Sequence, residues 1–157
     1  METQKILEFL QSQNMLSTGA GPAPSLETDR FVWSFSVHGI DKLGVLVSRL
    51  TIKAKGTPSV SMKKQAELVS ARITYLEEAF KMLEHDSDQQ TLYLRSAVTQ
   101  PKKDETHYFE IVLKGGTELS LAHYEVARGT SQRRLTPANL SRRTFERLLG
   151  DLQKILA

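Results

Sequence analysis

Six arginines, Arg128, Arg133, Arg134, Arg142, Arg143 and Arg147, fall between residues 128 and 147, and Glu146 is the only acid among them. Guanidinium groups present forked N–H donors that match phosphate and carboxylate oxygens in pairs. The local pattern adds to this. Ser141 is a good N-cap, which places Arg142 and Arg143 in the first turn of a helix. The helix dipole disfavours cations there, and two guanidiniums beside unpaired backbone N–H groups make an anion site. Arg128, Arg133, Arg134, Arg142 and Arg143 are therefore candidate anion-binding residues, for phosphate, nucleic acid or an acidic protein partner. The alternative is that these charges are simply solvated. The net charge of the whole chain is only +3, so its basicity is local and falls short of a protein that coats nucleic acid.

A second set is aromatic. Tyr108, Val112 and Tyr124 project together from one face of an expected hairpin, and Tyr93 and Arg95 join them if the preceding strand pairs there. Aromatic and basic side chains on an open sheet face can stack the bases of a single strand. The competing reading is a face covered by an N-terminal helix carrying Ile6, Leu7 and Leu10, or by a second subunit.

Catalytic and metal chemistry find less support. His107 and Glu125 oppose each other in the expected hairpin with His123 diagonal to His107, but no His-x-x-x-His or cysteine pair accompanies them, and neither metal nor cofactor is assigned. The chain has no G-x-S-x-G elbow and no G-x-x-x-x-G-K-[ST] phosphate loop. Cysteine is absent, which excludes disulfides and thiolate nucleophiles and is compatible with a reducing compartment. Glu2 stands where a signal peptide carries positive charge, and no apolar run approaches the roughly 20 residues of a membrane helix, so a cytoplasmic location is expected. Three functions follow in order: a non-catalytic interaction module binding a protein partner or itself; a phosphate or nucleic-acid binder; and an enzyme without a visible motif.

The elements that must position these residues suggest one α+β domain. Residues 3–16 read as a short helix, and the Gly- and Pro-rich run from Ser17 to Ser25 as a linker, so residues 1–28 form an arm ahead of a core at 29–157. Phe31, Trp33, Phe35 and Val37 alternate with Val32, Ser34, Ser36 and His38, the pattern of a strand with one buried face. Residues 43–54 fit strand or helix. Met62, Ala66, Val69, Ile73, Leu76, Phe80 and Leu83 recur at spacings of three and four, which predicts one long central helix across 59–84. Strands are predicted at 91–99, 107–114 and 118–127. A two-residue Gly115-Gly116 loop would oppose Leu113 to Glu118, whereas an odd loop, Gly115-Gly116-Thr117, pairs Leu113 with Leu119 and Tyr108 with Tyr124. Phe145, Leu148, Leu149, Leu152, Ile155 and Leu156 form the stripe of a C-terminal helix. The expected fold is thus a largely antiparallel sheet of about five strands, with the long helix and the C-terminal helix on one face and a helical arm in front.

Overall fold

The computed structural model describes residues 2–12, 24–76, 79–96, 105–127 and 132–157. In chain order the elements are α1 (Glu2–Ser12), β1 (Ser25–Glu27), β2 (Phe31–Ile40), β3 (Gly44–Ala54), α2 (Met62–Arg72), β4 (Phe80–Asp86), β5 (Thr91–Ser96), β6 (Glu105–Lys114), β7 (Glu118–Ala127), β8 (Arg133–Leu135), β9 (Ala138–Ser141) and α3 (Arg142–Leu156). The strands form one antiparallel sheet in the order β1-β2-β3-β7-β6-β5-β4, with β8 beside β7 and β9 beside β3.

Alternation builds the centre of this sheet. Phe31, Trp33 and Phe35 on β2 point to the helix side, where Trp33 stacks on Phe35 at 6.0 Å and meets Phe31 edge-on at 6.1 Å. Leu50 and Ile52 of β3 stand opposite Phe35 and Trp33, and opposite Leu121 and Leu119 of β7 on the other side. The same row continues through Ile111 and Leu113 to Leu94 and Leu92. The stripe from Phe145 to Leu156 on α3 is buried against this face. Ser141 caps α3, its hydroxyl accepting from the Thr144 N–H at 3.1 Å.

One turn and one close approach require glycine. Gly115 and Gly116 take φ of 59° and 77° in the three-residue loop between β6 and β7, and the register there is the odd-loop one, Leu113 with Leu119 and Tyr108 with Tyr124. At Gly44 a Cβ would come within 2.7 Å of the Leu140 carbonyl oxygen, so only glycine lets β9 approach β3. β3 and β7 pair from Arg49/Ala122 to Lys53/Glu118 and then part. Into the gap come β8, pairing Tyr124 to Val126 of β7, and β9, pairing Gly44 to Val47 of β3.

The sheet of about five strands with a long central helix is overturned: it has nine strands, and the helix ends at Arg72. Ile73 breaks it with ψ of 81°, and residues 80–86 form β4 instead. Spacing at three and four reports burial, which Ala66, Val69, Ile73, Leu76 and Phe80 all have, but not conformation. Ile73-Thr74-Tyr75 is β-branched and aromatic, a poor helix sequence. Strand β4 also gives β5 a hairpin partner across a turn where the Asp86 carboxylate accepts from the N–H groups of Asp88 and Gln89. Residues 43–54 resolve to strand β3. The short strands β1, β8 and β9, of three or four residues, are too brief to show a period.

Nor does the N-terminal helix stand off as an arm. Ile6, Leu7 and Leu10 are buried in the common core, Phe9 lies 6.3 Å from Phe35, and the Trp33 indole donates to the Glu2 carboxylate at 3.3 Å. α1 therefore packs on the helix side of the sheet and does not cover the tyrosines. No helix among the described residues is long and apolar enough to cross a membrane.

Candidate interaction face

On the side opposite the helices, the register brings Arg49, Ala122, Glu110, Arg95 and Lys81 into one row across β3, β7, β6, β5 and β4. The adjacent row holds Tyr124 and Tyr108 with Leu135 of β8, and Arg133 follows two residues before Leu135 on the same side. No described helix lies over these rows. Tyr93 and Val112, opposite each other on β5 and β6, remain partly exposed there.

Glu110 is the centre of the cluster. It is 5% exposed, although it lies on the uncovered side, because arginines close over it. Arg133 donates to its Oε2 at 2.9 Å and Arg95 to the same oxygen at 3.3 Å. Arg133 also donates to the Tyr108 hydroxyl at 3.4 Å, and Arg49 donates to the Tyr124 hydroxyl at 3.1 Å. The guanidinium of Arg95 sits 4.2 Å above the Tyr108 ring and that of Arg133 sits 3.9 Å above the Tyr124 ring, while the two rings are 5.9 Å apart. Partial burial works against the charge on Arg133. The hydrogen bonds with Glu110 and Tyr108 and the Glu110 charge outweigh it, and the pKa is raised. Two guanidiniums thus share one carboxylate oxygen, and Arg95 Nε is buried without a hydrogen-bond partner.

The residues singled out from sequence separate into groups. Tyr93, Arg95, Tyr108, Val112 and Tyr124 share the open face, and Arg133 joins them. Arg134 turns to the other side and pairs with Glu125 at 2.9 Å. Arg142 donates to the Asp41 carbonyl at 3.0 Å, and Arg143 is exposed in the first turn of α3. The Asp41 carboxyl is held below its usual range by the Gly44 and Leu43 N–H groups, with Arg142 adding to the effect. Arg128 lies outside the described residues. The arginine-rich stretch is therefore not one patch. Sequence reasoning missed Arg49 and Glu110, yet Glu110 alternates with Tyr108 and Val112, so the hairpin register already placed it among them.

The helix side offers a different setting. A concavity of about 610 Å³ opens beside the end of the β6–β7 hairpin, with His107, Phe109, His123, Asn139 and Thr144 in its wall. His123 Nδ1 is 3.0 Å from the Thr136 carbonyl, so this nitrogen carries the proton, and the ring lies 4.7 Å from Phe109 and 5.7 Å from His107. None of its lining residues is Asp, Glu, Lys or Arg. Among the described residues no group of three His, Asp or Glu is placed to hold a metal.

Tyr75, also at this concavity, donates to the Asp151 carboxylate at 2.7 Å, with Arg147 4.3 Å above its ring. Burial first, and then the hydrogen bond to Asp151, pushes its phenol above the ordinary value near 10. A raised folded pKa gives stability that is present below about pH 10 and lost as pH rises beyond it. Tyr75→Phe should therefore lower stability at neutral pH by about 1.5–3 kcal/mol, the range for a hydrogen bond to a charged group. The gap from the parent should narrow above about pH 10 in denaturant titrations. A gap that stays constant through that range would refute the assignment.

Compared with known protein families, with curated proteins and with solved structures, the chain matches none.

Proposed function

We propose that this chain is a non-catalytic interaction module that takes an acidic segment of a protein partner on its open sheet face. The observation that carries the reading is the buried Glu110 bridged by Arg95 and Arg133, with both guanidiniums laid over tyrosine rings. Such a cluster holds long side chains in place before a ligand arrives, which lowers the entropy cost of binding. Tyrosine and arginine are also the residues in which binding energy concentrates at protein interfaces. Tyr93, Val112 and the partly exposed Leu135 add apolar surface on the same side.

The same contacts weigh against the nucleic-acid reading. A base stacks on an open aromatic face, but the Tyr108 and Tyr124 rings each carry a guanidinium already. Arg134 and Arg142 are directed elsewhere, at Glu125 and the Asp41 carbonyl, so they add no phosphate contacts to this face. A chain without cysteine is compatible with a partner met in the reducing cytoplasm.

The test uses a fluorescein-labelled glutamate-rich peptide and a labelled oligothymidylate in anisotropy titrations. The peptide should bind the parent, and Arg95→Ala with Arg133→Ala should weaken it by about 2 kcal/mol or more, over tenfold. Arg142→Ala with Arg143→Ala should leave peptide binding unchanged. Equal peptide affinity in both double variants, or oligothymidylate binding that depends on Arg95 and Arg133 where peptide binding does not, would overturn the proposal.

A further inference from the structure

Strand β4 is an edge: among the described residues it pairs with β5 alone. Edges in monomeric proteins are usually blunted by charge, and exposed apolar residues on them are a hazard. β4 carries Lys81, Glu84 and Asp86, yet between the first two it presents Met82 and Leu83 side by side, 55% and 54% exposed. The Ser70 hydroxyl closes the start of the edge by donating to the Phe80 carbonyl at 2.9 Å, so the available stretch begins at Lys81.

The facing pattern of this stretch is unusual because of a bulge. Lys81 stands opposite Arg95 and Met82 opposite Leu94, then the register slips and Glu84 stands opposite Tyr93 and His85 opposite Leu92. Lys81 and Glu84 therefore both point to the open face, although three positions apart. In a regular strand residues three apart point to opposite faces. The bulge makes the strand symmetric about the Met82–Leu83 bond: an open-face residue lies one step beyond that pair in each direction, basic on one side and acidic on the other.

We infer that β4 is the contact between two copies of this chain, paired antiparallel about a two-fold axis through the middle of Met82–Leu83. This register sets Lys81 against Glu84 of the second copy, and Glu84 against Lys81 of the second copy, on the same face of the joined sheet. Between these two ion pairs, Met82 meets Leu83 of the second copy and Leu83 meets Met82 of the second copy, which removes the exposed apolar pair from water. Opposite charges directly across an antiparallel pair attract and like charges repel, so a shift of the register by one residue either way loses both ion pairs. The axis runs perpendicular to the sheet, so the two open faces point the same way. From β6 of one copy to β6 of the other there are five strand spacings, so the two Glu110 clusters stand about 24 Å apart. A partner carrying two acidic segments would engage both at once, with the gain of an intramolecular second step.

Sedimentation equilibrium of the full chain should show a dimer that dissociates on dilution. Lys81→Glu and Glu84→Lys should each weaken it by about tenfold or more, because each places like charges across both symmetric contacts. Mixing the two variants should restore association, since one then offers only acids and the other only bases at these positions. Circular dichroism of each variant checks that the fold survives. A parent that is monomeric at every loading concentration overturns the inference, as does a dimer indifferent to the single substitutions or a mixture that fails to associate. The outcome is separate from the peptide titrations, which read Arg95 and Arg133 on one copy.

Discussion

A chain lacking residues 1–12 is expected to lose cooperative unfolding, or to unfold at a far lower temperature than the parent. Ile6, Leu7 and Leu10 are each exposed by no more than 1% and lie within the single hydrophobic cluster. Removing one buried aliphatic side chain costs about 2–5 kcal/mol, so losing three reaches the scale of a domain's whole stability, about 5–15 kcal/mol. The deletion also uncovers Trp33, whose indole N–H loses the Glu2 carboxylate, and Phe35, which loses Phe9. Thermal unfolding followed by far-ultraviolet circular dichroism checks it. A truncated chain with the parent's midpoint would mean that α1 only rests on the domain. A gentler version, Leu10→Ala, should cost about 2–5 kcal/mol by itself and leave the transition cooperative.

Replacing Glu110 with alanine is expected to be the costliest single change on the open face. It leaves the Arg95 and Arg133 guanidiniums without the carboxylate that both contact at 3.3 and 2.9 Å. Breaking a fully buried ion pair costs about 3–5 kcal/mol, but these arginine side chains are 39% and 40% exposed, so water recovers part of the loss and about 1–3 kcal/mol is expected. Urea titration measures this directly. Arg95→Ala and Arg133→Ala should each cost less than Glu110→Ala, and their costs should not add to it, because all three residues share one network. Strict additivity would show that Glu110 does not couple the two arginines.

Local rules made part of this arrangement legible and left part of it out of reach. The β6–β7 hairpin register followed from opposing Leu113 to Leu119 rather than to Glu118, because its loop is three residues long and the facing pattern has one solution. The α3 start followed from Ser141, whose cap is decided within one turn. By contrast, Phe80 and Ile73 carry the same apolar signal whether they lie on a helix or beside a strand, and only the pairing of β4 with β5 decides it. The meeting of Arg133 with Glu110 depends on β8 entering a gap between two central strands, an event with no periodic trace in a three-residue strand. Arg49 reaches the Tyr124 hydroxyl across 75 positions of chain, which no local window contains.

The insertion of residues 133–141 between β3 and β7 acts as a rivet through the sheet. Its head is Arg133, clamped on the open face by Glu110 and Tyr108, and its tail is Ser141, which holds the first turn of α3 on the opposite side. Only nine residues, 133 to 141, join these two ends, and both strands within them are hydrogen-bonded along their length. Little free chain therefore separates the arginine from the helix start. The same short segment thus borders both the tyrosine side and the concavity behind it, whose wall includes Asn139, Ser141 and Thr144.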